Sequence, residues 1–229
     1  MGCSSNSNYI YGERYQKKFD LNEIDIEKSS KNILLDIIHI NTIDSTMPAS
    51  RQFIDLGYKN PFIYNTIIQT NGQGKGKRKW AGGIIGNLYT STGIPKNMIK
   101  NEIDSKDSIV KITAISIIQE LLKINRNDFF LKYPNDILCI ENKKMGGILV
   151  EPYKDFYIIG FGINVKEKPD MSQIRKEGLP PCCIKDHLPK NIKLPNPLDL
   201  SIEITKRLIF NINLTEDKIN NLFEQYMKK

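Results

Sequence analysis

Two periods of apolar residues divide this chain into elements. β-Branched residues crowd Ile33 to Ile43, and Asp44-Ser45-Thr46 then offers an N-cap for a helix running to about Leu56 and closed by Gly57. Phe62 to Gln69 and Ile84 to Thr92 read as two further strands, joined by a glycine and lysine loop from Asn71 to Gly83, which predicts antiparallel neighbours. From about Asp107 to Ile124 the apolar positions Val110, Ile117, Ile118, Leu121 and Leu122 recur at three and four, the signature of an amphipathic helix packed on that sheet. Short strands follow at Phe129 to Tyr133, Ile137 to Ile140, Gly147 to Pro152 and Phe156 to Val165, with turns at Glu141 to Lys144 and Tyr153 to Asp155. Lys166 to Asn196 is Pro-rich and weakly patterned, so a loop is expected. Helices from about Leu198 to Leu214 and Asp217 to Met227 close the chain, the second capped by Thr215. Residues 1–30 are polar and lack a period, so they are expected to form an extension outside the core. The order predicts one α+β domain over residues 31–229, a mixed, largely antiparallel sheet carrying helices on one face.

Composition narrows the function classes. Of the 229 residues 40% are hydrophobic and 26% charged, which excludes a chain disordered throughout. The longest apolar runs, such as Ile33 to Ile40 interrupted by Asp36, fall short of the ~18 to 20 residues a membrane helix needs. A net charge of +7 favours an anionic ligand or partner without choosing one. Cys3, Cys139, Cys182 and Cys183 match neither a disulfide framework nor a zinc spacing and read as reduced thiols in a cytoplasmic protein. Gly2 and Cys3 suit myristoylation and palmitoylation, which would give weak membrane association, but Asn6 stands where the acylation motif takes Ser or Thr. The first twenty residues lack the apolar stretch of a secretory signal.

Four clusters could carry chemistry. Gln69 to Trp80 combines glycines at Gly72, Gly74 and Gly76 with the cations Lys75, Lys77, Arg78 and Lys79 and ends in the single Trp of the chain. Glycines let backbone N–H groups approach an anion, the cations offset phosphate charge, and a Trp face stacks on a base. A solvated basic hairpin would look the same on spacing alone, and the loop is not a P-loop because no Gly-Lys-Ser/Thr closes it. Lys132-Tyr133-Pro134-Asn135-Asp136 joins two strands, and Lys144 to Glu151 follows one turn later; blandly, these are a proline turn and a hairpin glycine. Gly160-Phe161-Gly162-Ile163-Asn164 sets two glycines on one strand face, where a ligand or a bulge would explain them.

Together with Asp44-Ser45-Thr46, these clusters resemble the catalytic domain of biotin–protein ligases, in the same order and with similar gaps, over most of residues 33 to 228. The resemblance implies a fold related to the class II aminoacyl-tRNA synthetase core. It also implies a two-step reaction: biotin carboxylate attacks the α-phosphate of ATP to give biotinyl-5′-adenylate and pyrophosphate, and a lysine of a biotin carboxyl carrier domain, such as that of acetyl-CoA carboxylase, takes the biotinyl group. Two anions meet in the first step, so cations are required there. Carried over residue by residue, Ser45, Thr46, Gln69 and the backbone at Gly72 and Gln73 would hold the biotin ureido ring and carboxylate. Gly147, Leu149, Gly160 and Gly162 would wall the biotin rings. Lys75 and Arg78 would grip phosphates, Trp80 would stack on adenine, and Lys132, Asn135 and Asn164 would line the nucleotide site. Lys144 would sit between the biotin carboxylate and the α-phosphate, with Asp136 as its partner or as a ligand for Mg²⁺.

The chain departs from the family pattern at Met47 for Asn, Gln73 and Lys75 for arginines, and Tyr133 for Trp. Lys75 keeps the charge of an arginine without its bidentate fork. No DNA-binding domain and no C-terminal small barrel domain are expected. A lipoate–protein ligase-type transferase is the sibling alternative, set against by the Gly147 to Glu151 run. A nucleic-acid-binding module is the other, but its cations would spread along a helix or groove rather than gather at one loop, so no specific nucleic-acid partner is expected. His39 and His187 have no Cys or carboxylate at ligand spacing, and Cys182-Cys183 reads as structural or incidental.

Overall fold

The computed structural model describes residues 12–20, 32–125, 128–174 and 176–227. Strand β1 (Gly12–Asp20) runs antiparallel along β2 (Asn32–Ile43), so part of the extension expected outside the core forms the edge of the main sheet. Gly2 and Cys3 lie outside the described residues. Helix α1 (Thr46–Asp55) carries the chain over to β3 (Phe62–Gln69), which pairs parallel with β2. The small hairpin β4 (Gly72–Gln73) and β5 (Lys79–Trp80) precedes β6 (Leu88–Pro95). Helix α2 (Lys106–Ile124) is followed by β7 (Phe129–Lys132), β8 (Asp136–Cys139), β9 (Lys144–Tyr153) and β10 (Phe156–Ile163). Helices α3 (Pro197–Asn211) and α4 (Glu216–Tyr226) end the chain, α4 capped by Thr215 Oγ1 on the Lys218 N–H. The eight-stranded sheet has the order β1-β2-β3-β6-β10-β9-β8-β7, and β2–β3 is its one parallel pair.

Alternation along the strands divides the core in two. Leu35 and Ile37 of β2, Ile63 of β3 and Ile159, Phe161 and Ile163 of β10 face α2, α3 and α4. Ile38, Ile40, Phe62, Phe156 and Ile158 point the other way and pack with Met47 and Ile54 of α1. Helices therefore cover both faces, not the single face expected, because these central strands are apolar on both sides. Helix α2 is buried nearly all round, its polar positions bonded internally: Thr113 and Ser116 donate to the carbonyls four residues back, and Glu120 takes Arg207 Nε at 3.0 Å.

Two strands differ in extent from the sequence pattern. The strand expected at Ile84 begins at Leu88, because Gly83 (φ 84°) and Gly86 (φ 95°) hold left-handed conformations that a strand cannot contain. Lys144, expected in a turn, opens β9: Gly146 pairs with Ile137 and Lys144 with Leu138, leaving Met145 as an extra residue in a bulge that breaks the alternation. No helix among the described residues is long and apolar enough to cross a membrane.

Candidate active site

Glycines create the site's floor. On the α1 side of the sheet Gly147 and Gly162 stand opposite each other across β9 and β10, and Gly160 stands opposite Leu149. A Cβ at Gly162 would come within 2.5 Å of the Trp80 indole, one at Gly147 within 3.0 Å of it, and one at Gly160 within 2.7 Å of Met47 Sδ. The three glycines thus let an aromatic ring and a thioether lie directly on the backbone. Above them opens a cavity of about 480 Å³.

Its inner end is polar and buried. Gln69 Oε1 accepts from the Thr46 N–H at 3.0 Å, and Thr46 Oγ1 lies 2.6 Å from Ser91 Oγ. Ser45 stands at the N-cap of α1, yet its hydroxyl makes no capping bond and is buried without a partner. An orphaned hydroxyl beside a cavity is a ready hydrogen-bonding group for a polar ligand. Leu149 supplies the apolar side wall.

The other end is cationic. Lys75, Arg78 and Lys79 come from the β4–β5 hairpin, Lys132 from the end of β7 and Lys144 from β9, against two lining carboxylates, Asp136 and Glu177. Lys144 Nζ pairs with Asp136 Oδ1 at 2.6 Å and lies 5.6 Å from the centre of the Trp80 ring, a cation–π arrangement. The hairpin is held by the Gly74 N–H on the Arg78 carbonyl and by Arg78 Nε on the Lys75 carbonyl, each 2.7 Å, with Gly76 (φ 66°) turning the chain between them. An elongated molecule with an apolar ring system at one end and phosphates at the other fits this polarity.

Of the residues singled out in the sequence, Ser45, Thr46, Gln69, Gln73, Leu149 and the three floor glycines line one side of this cavity. Lys75, Arg78, Trp80, Lys132, Asn135, Asp136, Lys144 and Asn164 line the rest. Gly72 is not brought there: it is buried beneath β5, where a Cβ would lie 2.8 Å from the Trp80 carbonyl oxygen. Asn135 and Asn164 border the cavity, but their amides donate to the carbonyls of Ile148 (3.0 Å) and Cys182 (2.9 Å), so both act as braces for the backbone.

Residues 40–164, more than half of the chain, match the profile of the Biotin/lipoate A/B protein ligase family. The chain belongs to this family. A biotin–[acetyl-CoA-carboxylase] ligase of Mycobacterium tuberculosis is 27% identical over 103 residues, 44% of this chain and 38% of that protein, so the alignment spans well under half of the relative's length. Biotin protein ligase from Leishmania major in complex with biotinyl-5-AMP superposes with a TM-score of 0.72 at 25% identity, covering 84% of this chain and 81% of that one. Its complex with biotin gives 0.73 at 26% identity, over 83% and 81%. The Aquifex aeolicus ligase in complex with biotin and ATP, 24% identical over 83% of this chain and 78% of that one, shares the fold with a TM-score of 0.68.

Outside the family's motifs, the irregular segment after β10 also builds the site: Pro169, Gln173, Ile174, Glu177, Leu179 and Pro181 all line the cavity. Its attachment is polar. Asn87, buried before β6, accepts from the N–H groups of Val165 (3.0 Å), Lys166 (3.0 Å) and Glu167 (3.2 Å) and donates to the Glu167 carbonyl (2.7 Å). Asn87→Ala would strand three donors at once and is expected to lower stability by about 2 kcal/mol or more, read by urea denaturation.

Proposed function

We propose that this chain is a biotin–protein ligase that activates biotin with ATP to biotinyl-5′-AMP and passes the biotinyl group to one lysine of a biotin carboxyl carrier domain. The observation that carries the reading is the single cavity in which a glycine floor, a polar inner end and a cationic mouth meet at Lys144. The complexes of the Leishmania major ligase with biotin and with biotinyl-5-AMP support it. The carrier partner is inferred from the carboxylase named for the mycobacterial relative. A reducing, cytoplasmic setting accords with the free thiols of Cys139, Cys182 and Cys183.

In this reading the biotin ureido group takes the inner end, bonded by the Ser45 hydroxyl and by Thr46 and Gln69. The bicyclic ring lies on Gly147, Gly160 and Gly162 against Leu149, with its carboxylate near Lys144 and the Gln73 backbone. Trp80 occupies that floor in the structure, so it must swing off the glycines when biotin enters, freeing its ring to stack on adenine. Lys75 and Arg78 grip the phosphates, while Lys132 adds charge at the nucleotide end.

Lys144 does the central work. Its ammonium, held by Asp136, sits where carboxylate and α-phosphate would meet, offsets their repulsion and stabilises the charge gathering on phosphorus. Asp136, which lines the cationic end of the cavity beside Lys144, is the residue that would hold a Mg²⁺, an ion that commonly binds through one or two carboxylates together with substrate phosphates. The ion would supply charge neutralisation of the nucleotide. In the second step the carrier lysine attacks the mixed anhydride, and AMP leaves.

The test is adenylate formation from labelled ATP with biotin or lipoate as the acid. Biotin-dependent adenylate is expected; lipoate-dependent adenylate alone would reassign the chain to the lipoate branch of the family.

A further inference from the structure

Behind β9, away from the cavity, three ligating side chains converge that no spacing in the sequence connects. Cys139 ends β8, Cys182 lies in the irregular segment, and His187 ends a short 3₁₀ turn (Ile184–His187). Their Sγ, Sγ and ring nitrogen all lie within 4.8 Å of one another. Both cysteines are buried, at 0% and 2% exposure, and the His187 side chain is 6% exposed. A carboxylate completes the group: Glu141 Oε2 is 3.0 Å from Cys139 Sγ and 3.6 Å from His187 Nε2.

The histidine is also oriented. Its Nδ1 faces Asp128 Oδ2 at 3.4 Å, Asn125 Nδ2 bonds both Asp128 Oδ2 (2.8 Å) and the His187 carbonyl (2.9 Å), and the ring packs edge-on against Phe129. This leaves Nε2 turned toward Glu141. A carboxylate behind a histidine, fixing its tautomer and raising its basicity, is the usual outer arrangement of a metal-bound imidazole.

We propose that Cys139, Cys182, His187 and Glu141 form a structural zinc site. Two thiolates, one imidazole and one carboxylate suit tetrahedral Zn²⁺, whose bonds of about 2.0 to 2.3 Å imply ligand-to-ligand edges of roughly 3.3 to 3.8 Å. The two Glu141 distances lie near that range, the donors of Cys139, Cys182 and His187 lie within 4.8 Å of one another, and the half-exposed Glu141 side chain would rotate inward to complete the tetrahedron. On binding, each thiol loses its proton to water. Because both thiols bind as thiolates, metal uptake releases protons.

The site would serve as a staple. Pro180 and Cys182 flank the active-site lysine: the Lys144 N–H donates to the Pro180 carbonyl at 2.7 Å, and the Cys182 N–H donates to the Lys144 carbonyl at 3.0 Å. Zinc would tie this strip to the end of β8, fixing from behind both the strand that carries Lys144 and the segment lining the cavity.

The full chain, reduced and stripped with a chelator, is titrated with Co²⁺ and then Zn²⁺. The expected result is one Co²⁺ per chain with a thiolate-to-cobalt charge-transfer band and tetrahedral d–d absorption, displaced by one Zn²⁺. Cys139→Ser and Cys182→Ser should each lose about half of that band, since each removes one of two thiolates. Asp128→Asn should weaken zinc binding about tenfold or more, and Cys183→Ser should change neither measurement. An octahedral, oxygen-ligated cobalt spectrum, a thiolate band unaltered in both serine variants, or loss of the two thiols to a disulfide without metal uptake would overturn the site. Should a serine variant fail to fold, the wild-type cobalt spectrum decides alone.

Discussion

Lys144→Ala is expected to slow biotin-dependent pyrophosphate release about 10²- to 10³-fold, the usual cost of removing one preorganised charge from a developing anion. The ammonium is already aimed: Asp136 holds Nζ at 2.6 Å, so it need not be oriented during the reaction. Its loss should therefore appear in turnover more than in biotin affinity, which the inner polar end and the glycine floor supply. The variant should unfold at nearly the wild-type urea concentration, because the ion pair is partly exposed and contributes little to stability. A variant within threefold of wild type would remove Lys144 from the chemistry.

The second large effect concerns Trp80. Its indole rests on Gly147 and Gly162 with Nε1 buried and unpartnered, a position that competes with the ring placement proposed for biotin. Binding of biotin with a non-hydrolysable ATP analogue should therefore move the ring and shift its fluorescence, and no second Trp in the chain contributes to that signal. Trp80→Ala should weaken nucleotide binding by roughly tenfold or more, since stacking on a base is worth about 1 to 3 kcal/mol. Unchanged emission together with an affinity within twofold would place Trp80 outside the nucleotide site.

What the sequence made legible follows from the range over which each signal acts. Strand alternation and helical period are local, so β3 (Phe62–Gln69) and α2 (Lys106–Ile124) lie within one residue of where the pattern puts them. The site clusters were legible as motifs because each sits on one short segment, and the sheet order then brings those segments to one cavity. The bulge at Met145 was not, since an added residue erases the alternation it interrupts. Nor was the role of the segment after β10, which is anchored by the polar bonds of Asn87 rather than by periodic apolar contacts. Cys139, Cys182 and His187 come together only through the pairing of Lys144 with the 180–182 strip, so neither thiol nor imidazole has its partners at a readable spacing. The placement of α1 depended on which face of a doubly apolar strand each helix covers, a choice made by chain connectivity and not by period.

The most direct measurement is intact mass spectrometry of a carrier domain from a biotin-dependent carboxylase after incubation with the purified chain, biotin and MgATP. The account predicts the mass of one biotinyl group on a single lysine, appearing only when both biotin and ATP are present. A carrier left unmodified under those conditions by a folded enzyme, or one modified only when lipoate replaces biotin, would contradict it.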